Sequence, residues 1–509
     1  MAAGGHPGEL RIGLTISGAI ALGAFEGGAL AALLHAVGRV NAQRPGALRI
    51  DAMAGASAGS MTAVVAARCL MTGLDPIDAM YEAWVTTPAL TQLRDGLSAP
   101  LQVKSTEAAA RRLLTRRGAA PLQTTPVHVN LALGSLRRLD YEIGRVGGPP
   151  VRATTHLDWQ EIVFDTGSPD ELYVGSGQAM DAALASGAHG VAFRPRGLDR
   201  SAPEIQAGYR ANGVDGPPMF GWYTDGGTID NQPLGRAVNL TQAIDRDDPR
   251  DGARRLHLLI TPDPAIRQPA IDAWTDSGTE PRWLVSGERI VTLLLSQHLY
   301  DDMRQLEKTN SRVSWLRELE AALGAIIDGT APDATAALNE VIASIEHQKD
   351  TLYEDTGHAT APPPPTTPAR AALRRALELA TGEKEYIELA VVSPLNVRGV
   401  TRPADVLGGA FLMHFGGFLN ERLRENDFAV GYDAMVQWMG GGDGLAARGL
   451  DGDLAALATD GATRGAAAHR WRTDLGGATL RSRPLREKLA VMALVARAAA
   501  IAVNDAVRR

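Results

Sequence analysis

The sequence predicts an α/β fold: a mostly parallel central sheet covered by helices, followed by a largely helical C-terminal region. In the first half, short apolar segments typical of strands alternate with helical ones, and after Pro264 charged helical periodicity takes over. The chain is 45% apolar and 21% charged, as in globular proteins. Strands separated by helical stretches favour parallel pairing, because parallel neighbours need a long crossover connection.

The predicted elements of the first half follow one another as a layered α/β fold requires. The strands are Arg11 to Ser17, Leu48 to Ala56, Val127 to Leu136, Gly221 to Thr224 and Arg255 to Thr261. The helices are a stretch that reaches about Val40, Ala58 to Met71, and Gln178 to Ser186. A short apolar run bounded by turn residues indicates a buried strand.

Composition divides the chain into four regions. We predict an α/β domain over residues 11–264, a helical region over 265–355, a proline-rich linker over 356–370, and a helical C-terminal extension over 371–509. The helical segments after Pro264 are Trp283 to Ala325, Ala334 to Lys349 and Pro368 to Ala380, and Glu385 to Val392 returns as a strand. Four consecutive prolines in the linker predict an extended conformation.

Charge and composition exclude several classes of function. The 51 basic and 58 acidic residues give a net charge of -7 without a concentrated basic excess, so nucleic acid is not an expected partner. Cys69 is the single cysteine, which excludes an internal disulfide and a cysteine-based zinc cluster. We expect no metal and no cofactor. With no secretory signal and no spanning segment predicted, the expected location is the cytoplasm, with transient contact at a membrane surface left open.

A serine turn is the first candidate for chemistry. The segment from Gly55 to Gly59 reads Gly-Ala-Ser-Ala-Gly and fits the Gly-x-Ser-x-Gly pattern, between a predicted strand and an alanine-rich helix. In a nucleophile elbow the serine occupies a strained strand-to-helix turn, and the flanking glycines avoid collisions with the neighbouring chain. The five residues alone also fit a helix cap. The strand before and the helix after favour Ser57 as a nucleophile.

A small-residue turn between the first strand and the first helix is a candidate oxyanion hole. It runs from Gly18 to Gly23, where unpaired backbone N–H groups could hold a developing negative charge. A phosphate-binding P-loop is not supported, because no Gly-Lys-Ser/Thr follows. A dinucleotide fingerprint fits loosely, but no acidic residue ends the second strand. The candidate donors are the N–H groups of Gly18, Ala19, Ile20 and Ala58.

A third glycine-bounded turn supplies a candidate base. Asp225 stands at the end of a predicted strand and is followed by Gly226 and Gly227. An aspartate in an ordinary Asp-Gly turn is common. However, three such turns at three predicted strand ends favour a shared site.

These motifs together resemble the patatin-like phospholipase family, over roughly residues 11–264. That family has a glycine-rich oxyanion loop, a Gly-x-Ser-x-Gly elbow and an Asp-Gly-Gly/Ala motif, in this order. The resemblance implies an α/β fold in which Ser57 is the nucleophile and Asp225 its base, without a histidine. Gly18 to Gly23 corresponds to the oxyanion loop. Ala182 to Pro195 resembles the family's Ala-Ser-x-Ala segment.

The loop departs from the family pattern. The family usually has Gly-Gly-Gly-x-Arg-Gly, whereas this chain has Ala19 and Ile20 after the first glycine, and Leu22 in place of the arginine. The change removes a fixed positive charge near the site. Gly416 to Ala434 is similar to a C-terminal extension in some actinobacterial patatin-related proteins.

The resemblance implies a serine acyl-ester hydrolase of lipid degradation, with a Ser–Asp dyad and a backbone-amide oxyanion hole. Its substrate would be a lipid or another acyl ester. Two alternatives stay open. The altered loop and the large helical half also fit a non-catalytic or regulatory lipid-binding scaffold. A Ser–His–Asp esterase is the other alternative, because His189 and His257 lie close in sequence to the site-bearing segments.

Overall fold

The structure is a computed structural model of the chain. It describes residues 9–90, 99–145, 148–166, 178–190, 192–248, 253–264, 283–330, 387–459 and 475–507, together with isolated positions between 336 and 377. The chain forms two compact units, one made of Met1–Leu299 and Leu389–Arg509 and the other of Tyr300–Glu388.

The larger unit contains a sheet with nine strands in the described residues. They are β1 (Leu10–Ile16), β2 (Leu48–Ala56), β3 (Val127–Arg145), β4 (Gly148–Phe164), β5 (Arg196–Asp199), β6 (Val214–Asp215), β7 (Phe220–Asp225), β8 (Arg254–Ile260) and β9 (Leu389–Val392). Their order is β5-β7-β3-β2-β1-β8-β9, and β4 and β6 also pair with β3. Strands β3, β2, β1, β8 and β9 run parallel, and the remaining pairs are antiparallel. The predicted α/β fold is confirmed.

Helices cover this sheet and continue through the C-terminal half. They are α1 (Gly23–Gln43), α2 (Ala58–Thr72), α3 (Pro76–Tyr81), α4 (Lys104–Thr115), α5 (Gln178–Ser186), α6 (Pro203–Ala211), α7 (Leu234–Asp247), α8 (Trp283–Ile327), α9 (Glu421–Met439), α10 (Gly452–Thr459) and α11 (Leu485–Val507). Among the described residues, Ile20–Gln43 is apolar and long enough to cross a membrane, yet 89% of its most apolar window is buried in the protein. This burial is typical of a core helix.

Strand register brings the functional segments to one edge of the sheet. Ile16, at the end of β1, is level with Gly55 on β2 and with Ile260 on β8. Every residue of β1 and β2 is buried, because helices cover both faces of this part of the sheet. The turns after β1 and β2 therefore meet where the parallel strands end, which is where α/β folds bind their ligands.

The long hairpin of β3 and β4 was only partly predicted. The sequence indicates a strand over Val127 to Leu136, whereas β3 continues to Arg145 and β4 returns antiparallel beside it. The β4 sequence begins with two prolines in its first three residues and then mixes polar and apolar residues. A strand with one solvated face has no continuous apolar run, and proline is tolerated where a strand begins.

The C-terminal part contributes directly to the α/β unit. Strand β9 pairs with β8 and extends the sheet. Helix α9 packs against α1 at two glycines: a Cβ on Gly28 would overlap the carbonyl of Phe428, and one on Gly431 would overlap the carbonyl of Phe25. The described residues from Leu389 onward, which were predicted as part of a C-terminal extension, thus belong to the same compact unit as the sheet. The four region boundaries themselves stay predictions.

The smaller unit contains most of α8, which agrees with the helix predicted over Trp283 to Ala325. Within it, the Asn310 side chain donates to the Ile387 carbonyl at 2.9 Å and accepts the Ile387 N–H at 2.8 Å. Arg374 pairs with Glu320 at 2.7 Å. The helix predicted over Ala334 to Lys349 and the proline-rich linker lie outside the described residues, apart from isolated positions.

Candidate active site

Ser57 occupies a strained turn between β2 and α2. Its backbone has φ 52° and ψ -120°, a region that non-glycine residues rarely adopt. The turn is possible because two glycines let backbones approach closely. A Cβ on Gly55 would lie 2.6 Å from the carbonyl oxygen of Gly59, and one on Gly59 would overlap the carbonyl of Ile16. Such strain costs about 1–3 kcal/mol and persists where the surrounding structure enforces it.

The Ser57 hydroxyl donates a hydrogen bond to Oδ2 of Asp225 at 2.6 Å. Both side chains are buried, with 5% and 2% of their residue surface exposed. Asp225 ends β7 and is paired with Leu133 on β3, one residue beyond the β3 segment that pairs with β2. A Cβ on Gly226 would overlap the carbonyl of Ala132, so glycine is required for the turn that follows. The sheet register therefore joins the two predicted residues.

The Asp225 carboxyl group has a mixed environment. Burial raises its pKa, and this effect is opposed by the charge of His189, by the hydrogen bond from Ser57 and by the N–H groups of Gly227 and Thr228. The Gly227 N–H donates to Oδ1 at 2.7 Å. A carboxylate with a pKa above the ordinary value of about 3.9 is a better proton acceptor near neutral pH.

A buried serine behind the turn holds the Ser57 backbone. The Ser57 N–H donates to Oγ of Ser186 at 2.9 Å, and this hydroxyl donates to the Ala132 carbonyl at 2.6 Å. Oγ of Ser60 lies 2.8 Å from the same hydroxyl. Ser186 is not among the predicted site residues, although it belongs to the segment Ala182 to Pro195 that resembles the family.

The structure corrects one predicted oxyanion donor. The Gly18 N–H donates to the carbonyl of Asn231 at 2.8 Å and is thus already occupied. The chain after the Asp225 turn folds over this glycine, and a Cβ on Gly18 would overlap the Asn231 side chain and lie 3.1 Å from Cβ of Ser57. Gly23 has a packing role, because a Cβ there would overlap the Trp84 ring.

The other predicted donors remain candidates. Ala58 is the first residue of α2, where an N–H group has no acceptor within the helix and lies at the positive end of the helix dipole. Ile20, with φ 54°, begins a 3-10 turn after Ala19. Ile20 and Ala58 line the same cavity as Ser57. An oxyanion hole made by these N–H groups stays a prediction.

An apolar cavity opens beside Ser57. It contains about 1020 Å³ of empty space, counting the part that is open to solvent. Its walls come mainly from α2, α4, α5 and the π-helical turn Glu82–Thr86, and they include the large side chains of Trp84, Val64, Leu113, Leu114, Met180 and Leu184. Within the described part of the chain, no charged side chain lines the cavity. The space is suited to a hydrocarbon group.

A comparison with protein families identifies the domain that contains Ser57 and Asp225. The family model described as patatin-like phospholipase matches residues 14–238, a range that contains the glycine-rich loop, the Ser57 turn and Asp225. Residues 14–238 form a patatin-like phospholipase domain. The predicted family resemblance is therefore confirmed.

Two other comparisons, with curated proteins and with solved structures, supply no further argument about the patatin domain. No curated protein matches the sequence. The crystal structure of VipD from Legionella pneumophila aligns over 89% of this chain and 90% of its own, at 12% identity and a TM-score of 0.21. At this TM-score the likeness supports no structural argument.

Residues outside the matched range complete the site of the patatin domain. We call residues 411–419 the wall segment. The carbonyl of His414 accepts the N–H of Ala21 in the loop from Gly18 to Gly23 at 3.2 Å, and Phe418 lines the cavity. Residues 412–414 have φ values of 54°, 50° and 67°, a left-handed stretch that is rare for non-glycine residues. Sequence reasoning did not connect this segment with the site.

Arg424 of α9 anchors the wall segment to the patatin domain. Its Nε donates to the Val85 carbonyl at 2.7 Å and its Nη1 to the Gly417 carbonyl at 2.8 Å. Burial lowers the pKa of Arg424 to about 10. Gly417 in turn lies against Ala21, since a Cβ on Gly417 would be 3.0 Å from Cβ of Ala21. A cation from the C-terminal half thus supports the loop in which Leu22 replaces the family's arginine.

The two histidines considered for a Ser–His–Asp arrangement have different surroundings. His257 in β8 is buried and its Nε2 lies 2.8 Å from Oγ1 of Thr241. His189 is near enough for its charge to act on Asp225. The Ser57 hydroxyl nevertheless donates to the carboxylate directly. Among the described residues, no group of three or more His, Cys, Asp or Glu side chains could hold a metal ion.

Proposed function

We propose that the patatin domain is a serine acyl-ester hydrolase that acts on lipids, with Ser57 as nucleophile and Asp225 as general base. The observation that carries this proposal is the buried 2.6 Å hydrogen bond to Asp225 from Ser57, which lines an apolar cavity. A strained serine that bonds directly to an acceptor of raised pKa is an activated nucleophile. The family match to patatin-like phospholipases supports the same chemistry.

The proposed reaction has two halves. Oγ of Ser57 attacks the ester carbonyl carbon while its proton passes to Asp225. The N–H groups of Ala19, Ile20 and Ala58 would hold the oxyanion, and losing one such donor typically costs about 2.7–4 kcal/mol of the barrier reduction. The ester C–O bond then breaks and the leaving alcohol takes the proton from Asp225. Water, deprotonated by the same carboxylate, attacks the acyl-enzyme and releases the carboxylic acid and free Ser57.

The cavity indicates the acyl part of the substrate. Each buried CH₂ group contributes about 0.8 kcal/mol to binding through the hydrophobic effect, so an uncharged apolar pocket favours a long acyl chain. The charged headgroup of a lipid would have to remain outside, because no charged side chain among the described residues lines the pocket. In this proposal the protein is cytoplasmic and meets its substrate at a membrane surface.

Two observations favour a second candidate, a non-catalytic lipid-binding scaffold. The Gly18 N–H is occupied by the Asn231 carbonyl, and Leu22 stands where the family has an arginine. Both features weaken stabilisation of an oxyanion while leaving the apolar cavity intact. Under this alternative, lipid binds without turnover. A Ser–His–Asp esterase has less support, because the Ser57 hydroxyl donates its hydrogen bond directly to Asp225 and not to a histidine.

Labelling with a serine-directed fluorophosphonate tests the proposal. We expect the wild-type chain to be labelled at Ser57, and Ser57→Ala to abolish both labelling and hydrolysis of p-nitrophenyl esters. Asp225→Asn should lower kcat/KM by about 10³-fold or more, because the amide cannot accept the proton. Ser201→Ala, at an exposed serine before α6, is the matched control and should keep full labelling and activity. An unlabelled wild-type protein that binds fatty acid would support the scaffold instead.

A further inference from the structure

The C-terminal helix α11 carries an apolar stripe that faces away from the fold. Five large aliphatic side chains on this helix are more than half exposed: Leu485 (71%), Leu489 (53%), Met492 (67%), Val495 (63%) and Val503 (64%). Their spacing of three, four or eight residues places them on one side of a helix, along with several alanines. Exposed apolar patches of this kind mark interaction sites.

The opposite side of α11 is docked on the core. Ala490 and Leu494 pack against the apolar cluster that contains Leu101 and Phe418. The Arg497 guanidinium donates to the carbonyls of Ala99 and Pro100 at 3.3 and 3.1 Å. The helix is thus held by one face, and its apolar stripe is left without a partner from the described part of the fold.

The same segment is strongly basic. Residues 480–509 contain seven arginines and lysines and two acidic residues, so their net charge is +5, whereas the whole chain has -7. Arg486 is exposed on α11 and Lys488 is half-buried. An apolar helical face flanked by basic side chains matches a bilayer interface that carries anionic headgroups.

Helix α11 is also adjacent to the proposed active site. Phe418 belongs to the apolar cluster beneath α11, and Ile20 and Phe193 pack against that cluster. All three residues also line the cavity beside Ser57. A membrane bound to the stripe would therefore lie close to the pocket. The docked side of α11 and the cavity therefore share one apolar cluster.

We propose that α11 docks the protein on a membrane that contains anionic lipid, with the stripe Leu485, Leu489, Met492, Val495 and Val503 inserted among the acyl chains. Arg481, Arg486 and Lys488 add electrostatic attraction to the headgroups. Docking itself needs no hydrolysis, and only its role in delivering substrate rests on the proposed function.

Vesicle co-sedimentation of the full chain tests this proposal. The probes are vesicles of phosphatidylcholine alone and vesicles of equal parts phosphatidylcholine and phosphatidylglycerol. We expect binding to the anionic vesicles that weakens as sodium chloride is raised. The double variant Leu489→Gln/Met492→Gln should bind these vesicles at least about tenfold more weakly than the wild type, because two side chains no longer enter the apolar layer. Unchanged binding of this variant would overturn the proposal.

The matched control is Leu136→Gln/Met219→Gln, whose two residues are 53% and 58% exposed but lie on or near other strands. It should bind like the wild type. Analytical ultracentrifugation of the wild type and both variants tests whether the stripe binds a second copy of the chain instead. If the wild type is a dimer, the α11 variant is a monomer and vesicle binding is intact, the stripe is a dimer interface and the lipid assignment is overturned.

Ser57→Ala separates this proposal from the proposed function. It should bind anionic vesicles like the wild type, since the docking face does not include the turn. The α11 variant should hydrolyse a soluble short ester at the wild-type rate and lose activity only on vesicle-borne substrate. If no ester is hydrolysed but the α11 variant still loses vesicle binding, the docking surface stands and the hydrolase assignment fails.

Discussion

Ser57 and Asp225 are 168 residues apart in the sequence, yet the hydroxyl of one donates to the carboxylate of the other at 2.6 Å. The relationship depends on strand order. β3 lies between β2, which ends before Ser57 opposite Ala132, and β7, which runs antiparallel and ends at Asp225 opposite Leu133, so both residues lie at the edge where β2 ends. A buried hydroxyl–carboxylate pair at that edge is the feature on which the proposed chemistry depends.

Activity should fall on the acid side as Asp225 gains a proton, because a protonated carboxyl cannot accept the proton of Ser57. Burial raises the pKa of Asp225, so the fall should begin at higher pH than the value of about 3.9 for an ordinary aspartate would give. The pH profile of kcat/KM for a soluble ester measures this. A profile that stays flat down to the ordinary aspartate range would contradict the role of Asp225 as base.

In the His189→Gln variant, the fall in kcat/KM at acid pH (the acid limb of the profile) should begin at still higher pH. The positive charge of His189 favours the ionised form of Asp225, and removing it leaves burial less opposed. The variant should keep substantial activity at neutral pH, since the hydroxyl proton of Ser57 goes to the carboxylate. If His189→Gln instead abolishes turnover at every pH, the Ser–His–Asp alternative gains support. His128→Gln, at a histidine on β3, serves as the control and should not shift the limb.

Ser186→Ala should lower kcat more than it raises KM. The variant removes the acceptor of the Ser57 N–H and leaves the Ala132 carbonyl without its hydroxyl donor. Unsatisfied buried groups of this kind cost about 1–3 kcal/mol, so the midpoint of thermal unfolding should also decrease. Ser135→Ala, at another buried serine that bonds to a carbonyl, is the control: it should affect stability without changing kcat.

Ala110→Phe should shorten the preferred acyl chain. Ala110 lines the cavity from α4, and a phenyl ring there would fill space available to the distal carbons of a substrate. Hydrolysis of long-chain p-nitrophenyl esters should fall while acetate hydrolysis is retained. Ala108→Phe, on the exposed side of the same helix, should leave the chain-length profile unchanged. Equal loss for all chain lengths would mean that the cavity does not hold the acyl group.

Gly431→Ala should destabilise the larger unit by about 1–3 kcal/mol or more, as expected for overpacking. The added Cβ would overlap the backbone carbonyl of Phe25 and force α9 away from α1. Gly442→Ala is the control, because nothing lies within 4 Å of a Cβ at that position. Comparable thermal midpoints for the two variants would show that α9 does not depend on close contact with α1.

The sequence was sufficient to predict the parallel core, because short apolar strands and amphipathic helices carry local periodicity. β2 spans Leu48–Ala56 as predicted, and α5 spans Gln178–Ser186. The sequence was not sufficient for β4, whose mixed polar pattern resembles a loop. Nor did it indicate that residues 411–419 and Arg424 would support the loop from Gly18 to Gly23, since no local pattern shows which distant segment will cover a site.

By itself the sequence determined which residues have the required chemistry: a serine between glycines, an aspartate before two glycines, and a family pattern that orders them. Only the tertiary structure decided which atoms meet. Strand register joined Ser57 to Asp225, the Gly18 N–H donates to the Asn231 carbonyl in the chain after β7, and the Ser186 hydroxyl accepts the Ser57 N–H. The physical reason is that side-chain chemistry is a property of each residue, whereas hydrogen bonds between distant segments depend on how the whole sheet is assembled.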